Sequence, residues 1–97
     1  MLEQGIISFY ISKVQTIGVR ALAGEDPHKA LQSLMSEAFA HLSSVKTTDP
    51  SKHLQAMAGQ LTLLAEHTHP SQPQYRATVD EAAALVRHRL QELHPQS

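Results

Sequence analysis

Hydrophobic residues recur every three or four positions along three long stretches of this chain. The stretches cover residues 27–45, 50–66 and 73–94, and serine, glutamine and charged residues fill most of the positions between the apolar ones. Because an α-helix makes one turn every 3.6 residues, this spacing places the apolar side chains along one side of a helix. The pattern therefore predicts three amphipathic helices over these ranges.

Two of the stretches open with the same pair of residues, which is typical of a helix start. The pairs are Asp26-Pro27 and Asp49-Pro50. An aspartate at the N-cap accepts free N–H groups of the first turn, and a proline at the first helical position has no N–H to leave unpaired. A helical repeat is the alternative, but its unit would be one helix and a loop, whereas known helical repeats pair two helices. We interpret both pairs as helix starts.

The N-terminal stretch fits two kinds of structure. Its apolar side chains keep helical spacing, and Ala23-Gly24 is typical of a helix C-terminus. Residues 5–12 are also rich in β-branched and aromatic side chains, which suit a strand. A single strand would have no partner in an otherwise helical chain, so we predict a helix over residues 3–23.

The connections between the predicted helices are only a few residues long. Such connections are too short to cross the molecule, so consecutive helices should run antiparallel. No low-complexity tract or linker divides the chain, which indicates a single helical domain over residues 1–97. We therefore predict an all-α fold, an antiparallel up-down-up-down four-helix bundle that is open to dimerisation.

Charge and composition argue against several classes of protein. The chain has 8 Lys and Arg against 9 Asp and Glu, so it lacks the basic field that supplies most affinity for nucleic acid. It has no cysteine, which excludes disulfides and thiolate metal sites and suits a reducing compartment. No apolar run approaches the roughly 20 residues of a membrane span, and the N-terminus lacks the features of a signal peptide. We expect a cytoplasmic protein.

The chain carries no recognisable catalytic motif. It has no Gly-x-Ser-x-Gly turn and no glycine-rich loop that would hold a phosphate. We therefore predict a protein that is not an enzyme and that uses no cofactor. A helix-turn-helix would need a basic recognition helix, which the pattern does not supply. A nucleic-acid-linked transcriptional regulator stays open as an alternative function.

Seven histidines are many for 97 residues, and two of them raise a metal-binding alternative. His67 and His69 stand two positions apart and form a candidate arm for a divalent metal ion. Zinc needs three or four protein or water ligands. His88 lies more than about 20 Å further along the predicted helix, at 1.5 Å per residue, and cannot join them within one copy. Metal binding would therefore require a second copy of the chain.

The first predicted helix carries more apolar residues than one side can bury. Ile6, Phe9, Tyr10 and Ile11 wrap more than half of its circumference, so part of this surface faces away from the bundle or the helix lies at its centre. An exposed apolar patch marks a binding surface, and Leu63 on the third helix extends it. Our leading hypothesis is a small non-enzymatic interaction protein that binds a protein partner or a second copy of itself through these five residues. Such proteins include adaptors, chaperones, immunity factors and regulatory subunits.

Overall fold

Four α-helices make up the structure, a computed structural model that describes residues 2–44 and 49–93, with side chains from residue 5 onward. The helices are α1 (Leu2–Leu22), α2 (His28–Ser43), α3 (Pro50–Glu66) and α4 (Pro73–Leu93). No strand occurs in the described ranges, so the helical interpretation of residues 5–12 and the all-α class are confirmed. The predicted ends of the second and fourth helices, Val45 and His94, lie outside the described residues.

Both Asp-Pro pairs start helices as predicted, with a difference of one residue at α2. An Asp26 carboxylate oxygen accepts the backbone N–H of His28 at 3.0 Å. Asp49 accepts the backbone N–H of Ser51 at 3.0 Å and its hydroxyl at 2.9 Å. At α2 the residue before the first helical one is Pro27 itself, with φ −83° and ψ −8°. The carboxylate still satisfies an otherwise free N–H group there, so the sequence pattern performs its predicted role.

The C-terminus of α1 is formed by the predicted glycine stop. Gly24 adopts a positive φ of 101°, which glycine tolerates because it has no Cβ. The backbone N–H of Gly24 donates to the Ala21 carbonyl at 3.0 Å, and that of Glu25 donates to the Arg20 carbonyl at 3.1 Å. This pair of bonds is the Schellman arrangement, and it satisfies carbonyls that the end of a helix would leave free.

The core is built around α4, which makes the two most extensive helix–helix contacts, one with α3 and one with α1. Its buried side chains are small, and small side chains let neighbouring helices approach closely. They are Thr78, Val79, Ala82, Ala83 and Val86. The larger apolar side chains come from the helices around it, including Leu31, Met35, Leu42, Met57 and Leu61.

Helix pairing is visible in individual contacts. Tyr10, near the middle of α1, hydrogen-bonds His41, near the end of α2. Gly18, near the end of α1, lies against Tyr75 at the start of α4. The up-down-up-down order of the helices stays a prediction. None of the described helices is both long and apolar enough to span a lipid bilayer.

Candidate interaction site

The five residues predicted to form one apolar surface are separated by the fold. Phe9 and Leu63 are 52% and 55% exposed, whereas Ile6 and Tyr10 belong to the buried core and Ile11 is partly buried against it. The expectation that Ile6 contributes to an outward surface is therefore wrong, and Tyr10, which was also predicted to bind a partner, lies in the core. The physical reason for this burial is that α1 contacts all three other helices. Three neighbours cover more of the helix surface than two would. Partner binding by Phe9 and Leu63 stays a prediction.

Phe9 is exposed, but its ring contacts Tyr10, which in turn packs against His41. The Tyr10 ring meets it edge-on, with the ring centroids 5.1 Å apart and the planes at 83°. The Tyr10 hydroxyl lies 3.1 Å from Nδ1 of His41, and the His41 ring also lies edge-on to Tyr10. Edge-to-face pairs of this kind are favourable because the positive ring edge meets the negative ring face. Phe9 therefore presents a solvent-facing ring whose neighbours are held in place by packing and a hydrogen bond.

The Tyr10 phenol is kept protonated by its surroundings. Burial raises the pKa of Tyr10 above its ordinary value of 10.0, and the Glu37 carboxylate raises this pKa further. Both effects disfavour the phenolate, because it would be a desolvated charge close to a second negative charge. The neutral hydroxyl can donate to Nδ1 of His41 when the ring proton of neutral His41 is on Nε2, and it accepts from Nδ1 in the other tautomer.

Positive charge lies on the same side of α1 as Phe9. The Lys13 ammonium is 5.1 Å from the centroid of the Phe9 ring, a distance at which a cation is attracted to an aromatic ring face. Lys13 and Arg20 line an open groove of about 280 Å³ between α1 and α2, and Glu37 stands on its α2 side. Within the described ranges, neither Lys13 nor Arg20 forms an ion pair. Both cations are thus available to an acidic ligand.

Leu63 lines a different groove, which is formed by α3 and α4. This groove has a volume of about 680 Å³, and no described residue of α1 lines it. Gly59 lines this shallow groove, and a Cβ built there would meet no described atom within 4 Å. Arg87 of α4 borders the groove and donates a hydrogen bond to the Thr62 hydroxyl. Leu63 therefore does not extend the α1 surface as predicted: Phe9 and Leu63 belong to two separate surfaces.

The histidines proposed as metal ligands are engaged locally. Nδ1 of His67 donates to the Leu63 carbonyl at 2.8 Å, and Nδ1 of His69 accepts the backbone N–H of Ser71 at 3.1 Å. The Nδ1 atoms of both histidines are thus engaged, and Nε2 of neutral His69 carries the ring proton because Nδ1 is the acceptor. Among the described residues, no group of three or more His, Cys, Asp or Glu side chains is placed to hold a metal ion. No third ligand for this pair is found in the part of the chain that the structure describes.

One side-chain pair was missed by sequence reasoning. His28 Nδ1 and a Glu81 carboxylate oxygen are 2.6 Å apart and join the start of α2 to the middle of α4. The Gln32 amide lies 3.2 Å from His28 Nε2 and completes a short polar network. The partners are 53 positions apart in the chain, and no spacing rule links residues so distant. The pair links α2 to α4 at the protein surface, where such contacts contribute little to stability.

The structure gives the fold class of this protein, whereas comparisons with known proteins identify no relative. Comparisons with models of protein families, with curated proteins and with solved structures found no match. The described part of the chain is an all-α fold of four helices, with an aromatic and basic surface on α1 and an apolar groove beside α3. Function must therefore be argued from the chemistry of these two surfaces.

Proposed function

We propose that this chain is a small non-enzymatic interaction protein that binds a protein partner through the α1 surface formed by Phe9, Lys13 and Arg20. The observation that carries the proposal is the Phe9 ring, which is 52% exposed and packs edge-on against the Tyr10 ring. Covering the exposed half of a phenylalanine side chain contributes about 1 kcal/mol to binding. A pre-positioned ring also loses little rotamer entropy when a partner covers it.

The charges beside Phe9 indicate the chemistry of the partner. Lys13 follows Phe9 by one helical turn and Arg20 by three, so the cations and the ring share one side of α1. The distance from Phe9 to Arg20 along the helix is roughly 16 Å at 1.5 Å per residue. A complementary partner is a helix or extended segment with an apolar side chain for Phe9 and carboxylates for Lys13 and Arg20. Complementary charges of this kind set the orientation and speed of association.

Quantitative affinity capture with matched variants tests this proposal. The immobilised protein is incubated with a lysate of its own source, and captured proteins are quantified by mass spectrometry. Phe9→Asp should abolish capture of the specific partner, because it replaces the exposed ring by a charge that repels the partner's carboxylates. Lys13→Glu should weaken the same capture through charge reversal alone.

Ser8→Asp supplies the control, since Ser8 is an exposed neighbour of Phe9 and receives the same new charge. This variant should capture the partner as the unmodified protein does, and circular dichroism should show equal helicity for all three variants. Undiminished capture by Phe9→Asp would refute the proposal. Equal loss in Phe9→Asp and Ser8→Asp would refute the specific role of the ring.

A further inference from the structure

Gly59 lies on the outward side of α3, and no contact within the described chain requires a glycine there. A glycine inside a helix costs about 1 kcal/mol relative to alanine. Gly18 has a visible reason, because a Cβ there would lie 2.9 Å from the Tyr75 ring. At Gly59 a Cβ would meet no described atom within 4 Å. If a close neighbour accounts for Gly59, it comes from outside the described chain.

The surroundings of Gly59 form a continuous outward surface along α3. Ala56, Gly59 and Leu63 are spaced by three and four positions and lie opposite the buried side of the helix, which contains Leu54 and Leu61. All three line the groove of about 680 Å³. Leu63 is 55% exposed, so the surface combines two small residues, which form a depression, with one large apolar side chain next to it.

The charges on this surface are arranged symmetrically about Gly59. Lys52 precedes it by seven positions and Glu66 follows it by seven, and both side chains are exposed. Seven residues are nearly two helical turns, so both charges lie on the same side of α3 as the glycine. The surface is therefore positive at the Lys52 end and negative at the Glu66 end, with small residues between the two charges.

We propose that a second copy of this chain docks on this surface, with the two α3 helices antiparallel and crossing at Gly59. A two-fold axis at Gly59 places Lys52 against the partner's Glu66, and the same pair forms again on the other side of the axis. Leu63 then lies over the partner's Ala56, where the small side chain leaves room for it. Each contact occurs twice, as an isologous interface requires. The shallow crossing needed to keep both ends in contact is the common angle of about 20°.

The dimer should be weak, because the surface is small. One side of α3 from Lys52 to Glu66 measures roughly 21 Å by 10 Å, well below the roughly 800 Å² per partner of a stable interface. The formal net charge of −1 does not oppose association. No described residue of α1 lines the groove, so this proposal does not depend on partner binding by Phe9.

Sedimentation velocity over a range of concentrations tests the docking. The unmodified protein should pass from monomer to dimer between about 10 μM and about 1 mM, since a small interface is expected to give a weak, micromolar-to-millimolar affinity. Gly59→Glu should be monomeric throughout and should keep its helicity, since a side chain at Gly59 extends into open space. Gly5→Glu is the matched control: Gly5 is helical, a Cβ there meets nothing within 4 Å, and this variant should dimerise normally.

Charge exchange tests the antiparallel register itself. Lys52→Glu and Glu66→Lys alone should each weaken the dimer by about tenfold, equivalent to about 1.4 kcal/mol, because each places like charges together twice. An equimolar mixture of the two variants should recover the original affinity, since both opposite-charge pairs form again between unlike copies. A protein that stays monomeric at about 1 mM, a dimer that survives Gly59→Glu, or a mixture that fails to recover would each overturn the proposal.

Discussion

Gly18 and Gly59 both lie inside helices, yet their replacement by alanine should change stability in opposite directions. The substitution gains about 1 kcal/mol of helix propensity at either position. At Gly59 the new Cβ meets no described atom within 4 Å, so Gly59→Ala should raise the free energy of unfolding by about 1 kcal/mol. At Gly18 the new Cβ would lie 2.9 Å from Cδ2, 3.1 Å from Cε2 and 3.3 Å from Cγ of Tyr75.

Turning of the Tyr75 ring about its own axis relieves this clash only in part, because Cδ2 and Cε2 move away while Cγ stays at 3.3 Å. Its Cγ is bonded to Cβ and does not move in such a rotation, so the whole side chain or the start of α4 must shift. Overpacking of this kind costs about 1–3 kcal/mol, which exceeds the gain in helix propensity. We therefore expect Gly18→Ala to lower the free energy of unfolding by about 1 kcal/mol.

Urea unfolding followed by far-ultraviolet circular dichroism measures these changes, and a double-mutant cycle assigns their cause. In a Tyr75→Ala background the clash is absent, so Gly18→Ala should now stabilise the protein by about 1 kcal/mol. The sign of the Gly18 effect should thus reverse between the two backgrounds. A stabilising Gly18→Ala in the unmodified protein, or an equal effect in both backgrounds, would refute the packing argument.

Two further predictions concern Tyr10 and the start of α3. Because burial and Glu37 raise the pKa of Tyr10, the unfolded state loses the phenol proton above about pH 10 while the folded state keeps it, so the free energy of unfolding should fall as the pH rises through that range. Denaturation at several pH values should show a smaller fall in Tyr10→Phe, and an equal fall in both proteins would contradict the assignment. Asp49→Ala should cost at least about 1 kcal/mol, because the carboxylate accepts two hydrogen bonds from the buried Ser51. Asp26→Ala, which removes a cap in an exposed site, should cost less by the same denaturation assay.

Local features were predictable from the sequence because their causes lie within a few residues. The Asp49 cap needs only Asp49 and the N–H groups that follow it, and the Gly24 stop needs only a residue that tolerates positive φ. Apolar spacing likewise identifies the inward side of each helix, since the core needs a continuous stripe. These features set the number, the type and most boundaries of the helices without any knowledge of how the helices pack.

The parts that could not be predicted depend on pairing between helices. The sequence shows that Ile6 and Tyr10 lie in an apolar stretch with helical spacing. It does not show that α1 contacts all three other helices and that Ile6 and Tyr10 are buried by these contacts. The 2.6 Å pairing of His28 with Glu81 depends on how α2 is rotated against α4. The meeting of Gly18 with Tyr75 depends on the axial offset of α1 and α4 in the same way. Rotation and offset are set by the whole core, so no single stretch of sequence encodes them.

The two proposed surfaces have a joint consequence because they use different helices. A dimer that forms through Gly59 leaves Phe9 uncovered, since no described residue of α1 lines the α3 groove. Such a dimer would present two identical Phe9 surfaces on one particle. A partner with two matching segments would then bind the second surface at a high effective concentration, which strengthens overall binding without any new contact. If both proposals hold, the apparent affinity for such a partner should rise as the α3 dimer forms at higher protein concentration. Gly59→Glu should remove this rise in apparent affinity, whereas Phe9→Asp should remove binding itself.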